Sequence, residues 1–249
     1  MRRTLIHDLG IFLNWIPQIF SKPENLNMYY KETIRQMYDI GIGSLAIVFI
    51  ISLFIGAVTS VQLSYQLSGT LIPPYYIGYI VRDMMIIELA CTFTCLVLAG
   101  KVGSTMAAEI GGMRQKEHID AMEIMGVNTS AYLVMPKIIA ALIIIPVLVS
   151  VAAVVGIGGG YVAAVNVSGF SDAEFTRGLR SFFVPLYVNM MYVKSVVFAF
   201  IIVAVACFQG YFVTGGSVEL GNASTRAVVF GDILILVADL IIAVVFMST

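Results

Sequence analysis

Charged residues are scarce in this chain. Its 249 residues include 14 Lys or Arg and 15 Asp or Glu, a charged fraction of 12%, about half that of a typical soluble domain. The formal net charge is −1 and the isoelectric point is near 6.1, so there is no basic field to bind nucleic acid. With 59% hydrophobic residues and a mean hydropathy of +0.95, the composition excludes a water-soluble globular fold and predicts a polytopic membrane protein.

Motifs for catalysis and metal binding are also missing. No G-x-x-x-x-G-K-[ST] occurs, so the chain has no phosphate cradle of that type for hydrolysing ATP. Neither H-E-x-x-H nor G-x-S-x-G occurs, and the two histidines, His7 and His118, are far apart. We therefore expect no catalytic residue, no metal and no cofactor in this chain. Cys91, Cys95 and Cys207 lie in apolar stretches and are interpreted as small buried hydrophobic residues.

Residues 1–40 are predicted to form an N-terminal region led by an amphipathic helix. Apolar residues recur there at helical spacing beside Trp15, namely Leu5, Leu9, Phe12, Ile16 and Ile19. This pattern is interpreted as a helix that lies in the membrane interface, and the alternative is an amphipathic helix packed on the rest of the protein. Pro17 and Pro23 are expected to end it before a second polar segment, residues 24–39.

Long charge-free stretches indicate where the chain crosses the membrane. Neither residues 41–81 nor residues 138–171 contain Asp, Glu, Lys or Arg, and about 20 apolar residues cross about 30 Å of hydrocarbon. Residues 41–249 are therefore predicted to form a five-span domain, with spans at about 41–63, 77–99, 131–162, 186–212 and 227–247. Gly156 and Gly160 form a G-x-x-x-G pair in the third span, which indicates close helix packing, with a hinge as the alternative.

The Lys and Arg distribution predicts the topology. With a cytoplasmic N-terminus, only Arg177 and Arg180 lie on the outer side, whereas ten basic residues lie in the cytoplasm. Those ten are Arg2, Arg3, Lys22, Lys31, Arg35, Lys101, Arg114, Lys116, Lys137 and Arg226. The C-terminus is thus predicted outside, and five spans do not divide into two equal inverted halves, which argues against a secondary transporter fold.

Three ionisable residues stand out inside the predicted spans. Glu88 is about eleven residues from each end of the second span, near the bilayer centre, and Asp239 lies similarly in the fifth. A charge at that depth costs about 3 kcal/mol on insertion scales. Lys194 lies nearer the outer end of the fourth span, where it either snorkels or joins a polar site close to one carboxylate. The carboxylates are either protonated structural groups or parts of a functional path.

A polar block separates the second and third spans. Residues 98–137 read LAGKVGSTMAAEIGGMRQKEHIDAMEIMGVNTSAYLVMPK. The centre of this stretch, residues 114–125, alternates charged residues with apolar ones such as Ile119 and Ile124, which is typical of a short amphipathic helix. Such a helix on a membrane protein either offers a surface to a partner or folds flat on its own bundle.

These blocks resemble the MlaE/YrbE family of ABC transporter permeases, which act with MCE proteins in lipid transport. The similar blocks are AGKVGS at 99–104, AEIGGMR at 108–114, EHIDAMEIMG at 117–126, KSVVF at 194–198 and a GG…G-x-A-S-T-R-A-V-V pattern at 215–229. Three departures stand out. Residues 87–91 read IELAC where the family has Arg-Glu-Leu-Gly-Pro, His118 replaces a glutamine, and Thr129 replaces a common proline.

The resemblance implies a homodimeric permease subunit with an interfacial helix and five spans in the bacterial inner membrane. It would move phospholipid between that membrane and a periplasmic MCE-domain protein, contributing to outer-membrane lipid asymmetry. ATP and Mg would bind a separate cytoplasmic ABC ATPase dimer, and a small STAS-type cytoplasmic subunit is a further partner.

The resemblance also implies roles for particular residues. The coupling segment, residues 100–130, would dock on the ATPase through Lys101, Arg114, Glu117, Asp120, Glu123, Met125 and Gly126. Glu88, Lys194 and Asp239 match charged positions near the lipid path, and Gln62 and Leu67 would line the lipid cavity. A proton-coupled secondary carrier with Glu88 and Asp239 as its relay, or a membrane scaffold without transport activity, are the alternatives from other classes.

Overall fold

A computed structural model describes residues 5–19, 26–67, 73, 75–167 and 171–248. Helices make up nearly all of this described part, which contains no strand. In a bilayer the backbone of an apolar stretch has no water to bond, so its N–H and C=O groups bond within helices. The all-α fold class predicted from the sequence is confirmed.

Eight helices follow one another through the described residues. They are α1 (Leu5–Ile19), α2 (Leu26–Leu67), α3 (Tyr76–Gln115), α4 (His118–Ile124), α5 (Thr129–Asn166), α6 (Asp172–Arg180), α7 (Pro185–Tyr211) and α8 (Ser217–Met247). Helix α3 is continuous but contains two π-helical turns, Met85–Leu89 and Ala99–Gly103. Five helices, α2, α3, α5, α7 and α8, are long and apolar enough to cross a membrane, in agreement with the five predicted spans.

Helix α2 begins well before residue 41, where the sequence predicts the first span to begin. Residues 26–40 contain neither glycine nor proline, and their Met, Glu, Lys and Gln residues favour helix. Nothing in this stretch therefore interrupts the helix. From Leu26 onward, the polar segment predicted at 24–39 forms the first turns of the same helix as the first span.

The expectation that α1 ends at Pro17 is wrong, because the helix continues to Ile19. A proline inside a helix removes one backbone donor and crowds the carbonyl four residues earlier. Trp15 and Ile19 are only 2% and 0% exposed, so the packing of this last turn offsets that loss. Pro23, the second expected break, lies outside the described residues.

The chain divides into two compact units, and the first contains the N-terminal helix. It consists of Met1–Ile40, Leu98–Ile144 and Ala199–Leu234. In this unit the indole of Trp15 contacts the rings of Phe208, Tyr211 and Phe212, with centroids between 5.6 and 6.0 Å apart. The indole N–H also donates to Oγ of Ser130 at 2.9 Å. At this end α1 packs on the protein, which favours the alternative over the predicted interfacial helix.

Glycines bring α2 and α5 into backbone contact in the second unit. This unit consists of Gly41–Val97, Ile145–Phe198 and Ile235–Thr249. A Cβ atom on Gly56 would overlap the carbonyl of Gly156, and one on Gly159 would overlap the carbonyl of Leu53. Larger residues at these positions would force the two helices apart. The contact favours close packing over a hinge as the role of Gly156.

Candidate functional site

Three ionisable side chains meet within the second unit. They are Glu88 of α3, Lys194 of α7 and Asp239 of α8, and they form what we call the charge cluster. The Nζ atom of Lys194 lies 2.7 Å from Oε2 of Glu88 and 2.6 Å from Oδ1 of Asp239. One ammonium group therefore bridges two carboxylates from two other helices.

Burial decides between the two interpretations of Lys194. Its side chain is 0% exposed, whereas the side chains of Asp239 and Glu88 are 11% and 43% exposed. A snorkelling lysine extends its ammonium group to the interface. Lys194 instead directs its ammonium group to the carboxylates, which favours the polar-site interpretation. The lysine contacts both carboxylates, whereas the sequence suggested one.

Helix α3 departs from α-helical geometry at the charge cluster. Residues Met85–Leu89 form a π-helical turn, which widens the helix locally. Within it the carbonyl of Ile87 accepts a hydrogen bond from Nζ of Lys194 at 3.2 Å, and Oγ1 of Thr92 donates to Glu88 at 3.3 Å. The chain has Ala90 and Cys91 where the sequence resemblance leads one to expect a helix-loosening Gly-Pro pair. The π-helical turn nevertheless makes the helix irregular just before this position, and the carbonyl of Ile87 faces Lys194.

The charge cluster contains one cation and two carboxylates. When both carboxylates are ionised its net charge is −1, and Glu88 is the member that remains open to a ligand. Ionic groups among membrane spans line substrate paths or relay protons. The arrangement can therefore receive a charged group that approaches Glu88, or exchange a proton there.

A groove of about 580 Å³ lies between α2 and α5 in the second unit. Its lining is almost entirely apolar and consists of Phe49, Leu53, Ala57, Val155, Gly158, Gly159, Tyr161, Val162, Ala163, Asn166 and Val167. Gln62 and Leu67 lie further along α2 and are not among these residues. Gln62 is exposed, and the predicted role of both residues in a lipid cavity stays a prediction.

The coupling segment contains the short amphipathic helix that the sequence predicts. In α4 Ile119 is fully buried, whereas Ile124 and the following Met125 are 88% and 71% exposed. A helix folded flat on its own bundle would bury its large apolar side chains. Exposed apolar side chains of this kind favour the alternative, a surface offered to a partner.

Arg114 connects the end of α3 to α4. Its Nη1 atom lies 2.7 Å from Oδ1 of Asp120 and 3.8 Å from Oε1 of Glu123. The structure thus brings three of the predicted coupling residues into one ionic group. Lys101 lies further back on α3, in the second π-helical turn, where it is exposed.

Glu117 lies just before α4 and Gly126 lies just after it. Both residues have left-handed backbone conformations, with φ angles of 59° and 81°. The N–H of Gly126 donates to the Glu123 carbonyl, and the N–H of Val127 donates to the Met122 carbonyl. This pair of bonds ends a helix with a left-handed residue, a conformation that glycine adopts without steric cost. Gly126 therefore sets the end of α4, and a contact of Glu117 with a partner stays a prediction.

Sequence reasoning missed several residues that support the coupling segment. The hydroxyl groups of Tyr211 and Thr129 both contact Oε1 of Glu123, at 2.8 and 3.2 Å. Lys137 is 3% exposed and donates to Glu109 at 2.6 Å, which joins α3 to α5. No local pattern marks these contacts, although Thr129 departs from the family that the sequence resembles.

Arg82 is buried in the same unit as Lys194, and its role was not predicted from the sequence. It is 4% exposed and forms an ion pair with Asp83 at 2.7 Å. Its guanidinium group donates to the carbonyls of Leu179, Ser181 and Phe182 at 2.7, 2.8 and 3.2 Å. Arg82 thus holds the end of α6 and the link that follows it. Its charge inside a predicted span was the available signal.

Cysteines and other possible metal ligands occur in the same described part of the chain as the sites above. The part of the chain that the structure describes contains no group of three His, Cys, Asp or Glu placed to hold a metal ion. Cys91, Cys95 and Cys207 are free and fully buried, in agreement with their interpretation as small hydrophobic residues.

The fold and these sites define a multi-pass helical membrane protein with an ionic group among its spans and an exposed amphipathic segment. The family model described as Permease MlaE matches residues 33–245. The chain therefore belongs to the MlaE permease family, which confirms the resemblance found in the sequence. It is a permease subunit without catalytic activity of its own.

Relatives from several bacteria match most of the chain. A probable ABC transporter permease protein of Rickettsia bellii is 36% identical over 88% of this chain and 84% of its own length. A probable ABC transporter permease protein of Synechocystis is 32% identical over 84% and 79%. The intermembrane phospholipid transport system permease protein MlaE of Haemophilus influenzae is 28% identical over 91% and 87%.

Proposed function

We propose that this chain is the membrane-spanning subunit of an ATP-driven transporter that moves phospholipid between the bacterial inner membrane and a periplasmic MCE-domain protein. Such a system contributes to outer-membrane lipid asymmetry. Two copies form the permease, each with its N-terminus in the cytoplasm and its C-terminus in the periplasm. Family membership and the name of the Haemophilus influenzae relative support phospholipid as the cargo.

The charge cluster is the observation that carries this proposal. A phospholipid joins apolar chains to a charged headgroup, so its transfer needs a polar group within otherwise apolar helices. Glu88 is 43% exposed and is held by a fully buried Lys194, which also pairs with Asp239. The Glu88 carboxylate is the first polar group of the cluster that a headgroup would meet.

The coupling segment is the proposed contact with a separate cytoplasmic ATPase dimer, which binds ATP and Mg. Ile124 and Met125 supply exposed apolar surface beside the ion pair of Arg114 and Asp120. An apolar centre with a charged rim is the usual composition of a protein interface. Closure of the ATPase dimer would then move α4. A small STAS-type subunit remains a further proposed partner.

Lipid transfer by the complete complex tests the proposal. Native mass spectrometry of the complex extracted from its own membrane should show two copies of this chain, two ATPase subunits and bound phospholipid. In liposomes this complex should pass a fluorescent phospholipid to the MCE-domain protein only when ATP is present. A complex without ATPase or lipid, or transfer that needs no ATP, contradicts the proposal.

A matched pair of variants connects transfer to the charge cluster. Glu88→Gln keeps the side-chain shape but removes the exposed charge, and we expect transfer to slow about tenfold because one charge-assisted contact is lost. Glu219→Gln changes an exposed residue of α8 and serves as the control. Equal rates for the two variants would show that the Glu88 charge takes no part in transfer.

A proton-coupled carrier is the second candidate, and the excess of carboxylates over lysine in the charge cluster favours it. An imposed pH gradient without ATP should then drive transport, and Asp239→Asn should abolish it. Under the leading proposal a pH gradient alone moves no lipid. A membrane scaffold instead predicts that neutral variants of the cluster assemble and retain function.

A further inference from the structure

Two hydroxyl groups contact the carboxylate of Glu123 in α4. Oη of Tyr211, at the end of α7, donates to Oε1 of Glu123 at 2.8 Å, and Oγ1 of Thr129 lies 3.2 Å from the same oxygen. The two hydroxyl oxygens are 2.7 Å apart, and the two residues are only 8% and 2% exposed. Because the Thr129 hydroxyl has one proton, it donates either to the Glu123 carboxylate or to the Tyr211 oxygen.

Arg114 contributes less to the position of Glu123. Its Nη1 atom is 3.8 Å from Oε1 of Glu123, beyond hydrogen-bonding distance, and is 2.7 Å from Asp120. The side chains of Arg114 and Asp120 are 33% and 47% exposed, and Nη1 of Arg114, although it is a buried atom, makes no hydrogen bond of good geometry with any described residue. The hydroxyl groups of Tyr211 and Thr129 instead contact the carboxylate of Glu123, whose side chain is 46% exposed, at direct hydrogen-bonding distances, and such charge-assisted bonds are stronger than neutral ones.

The hydroxyl pair is itself held in place. Oδ1 of Asn128 accepts the N–H of Ala131 at 3.2 Å, which caps α5 and orders the first turn that carries Thr129. The ring of Tyr211 contacts Trp15, with centroids 5.6 Å apart. Both hydroxyl groups are therefore presented to Glu123 by ordered surroundings before any partner binds.

We infer that Tyr211 and Thr129 are positioning residues for α4, and that their contact with Glu123, more than the Arg114 ion pairs, sets the orientation of its exposed face. The link from this orientation to an ATPase rests on the proposed function, whereas the orientation itself does not. Thr129 is the first residue of α5, a position at which proline would remove the hydroxyl without breaking the helix.

Hydrogen–deuterium exchange of the full chain in lipid nanodiscs tests the positioning. Tyr211→Phe keeps the ring and removes the hydroxyl, and we expect roughly tenfold faster exchange of the amides in residues 118–126. Thr129→Pro should give a smaller acceleration, because proline is well tolerated at the first position of a helix and only the hydroxyl is lost. Thr129→Ser should exchange like the wild type.

The controls separate positioning from a general loss of structure. Tyr30→Phe changes an exposed tyrosine and should leave exchange in residues 118–126 unchanged. Unchanged exchange in both Tyr211→Phe and Thr129→Pro overturns the inference. A larger acceleration in Arg114→Gln than in Tyr211→Phe overturns it as well.

A second readout tests the link to the partner separately. In the complete complex, Tyr211→Phe should weaken lipid-stimulated ATP hydrolysis severalfold, and Thr129→Ser should retain it. If exchange accelerates in Tyr211→Phe while assembly and ATP hydrolysis are unaffected, the positioning inference stands. In that case the role of α4 as the ATPase contact, which belongs to the proposed function, fails.

Discussion

Two ionic groups in this chain each contain one cation and two carboxylates, but they differ in the burial of the cation. In the charge cluster Lys194 bridges Glu88 and Asp239, and in the coupling segment Arg114 faces two carboxylates of α4. The side chain of Lys194 is 0% exposed, and that of Arg114 is 33% exposed. Because Lys194 is buried, loss of this cation alone should destabilise the fold, whereas the carboxylates of the second group are about half exposed and accessible to a partner.

Removal of the buried cation has the largest expected effect. Lys194→Met leaves two carboxylates close together without a cation, and breaking a buried pair costs about 3–5 kcal/mol. We expect little folded protein. The yield of monodisperse protein in mild detergent and its melting temperature measure this loss.

A neutral version of the whole cluster is the matched control for that variant. Glu88→Gln, Lys194→Met and Asp239→Asn together remove every charge, so no unpaired ion remains buried. We expect the folded yield to return while lipid transfer stays lost. Wild-type transfer by this triple variant would mean that the charge cluster is purely structural.

Substitution of Arg82 tests whether the shape of a buried cation matters to stability as well as its charge. Arg82→Lys retains the charge but loses the planar fork that reaches three carbonyls, and we expect a loss of about 2 kcal/mol. The melting temperature should fall, and protease should cut the link after α6 more readily. Arg180→Lys, an exposed change on α6, is the control. Equal melting temperatures for the two variants would refute a geometric role.

A backbone change in the coupling segment should have a smaller effect. Gly126→Ala places a Cβ atom on a residue with φ of 81°, which costs about 1–2 kcal/mol. Exchange of the amides at the end of α4 should accelerate without a change in the rest of the chain. Gly112→Ala, on a helical glycine with open space around it, should have no such effect. The assignment of Gly126 as the end of α4 fails if the two variants behave alike.

Arg114 should show the smallest effect on stability. Arg114→Gln removes ion pairs to two half-exposed carboxylates, and we expect the free energy of unfolding to change by less than about 1 kcal/mol. Recovery of the ATPase with the purified chain should nevertheless fall. A loss of stability as large as that of Lys194→Met would contradict the prediction that the two ionic groups differ in their contribution to stability. Undiminished ATPase recovery would remove Arg114 from the proposed contact.

Local patterns predicted much of this molecule, and long-range packing accounts for the differences. The amphipathic pattern of residues 114–125 predicted α4, because helical spacing is a property of neighbouring residues. The continuation of α1 past Pro17 depends on the burial of Trp15 and Ile19, which no local pattern contains. Tyr211 and Glu123 are 88 positions apart, so their hydrogen bond could not be anticipated from spacing.

The sequence by itself determined the all-α class, the five spans and the family, since the transfer of apolar segments into hydrocarbon and the order of motifs depend on composition along the chain. Only the tertiary structure decided that Lys194 is buried between Glu88 and Asp239 and that Glu123 faces two hydroxyl groups. These contacts depend on how each helix is rotated against its neighbours. That rotation is set by side-chain packing and by glycine contacts such as the one between Gly56 and Gly156.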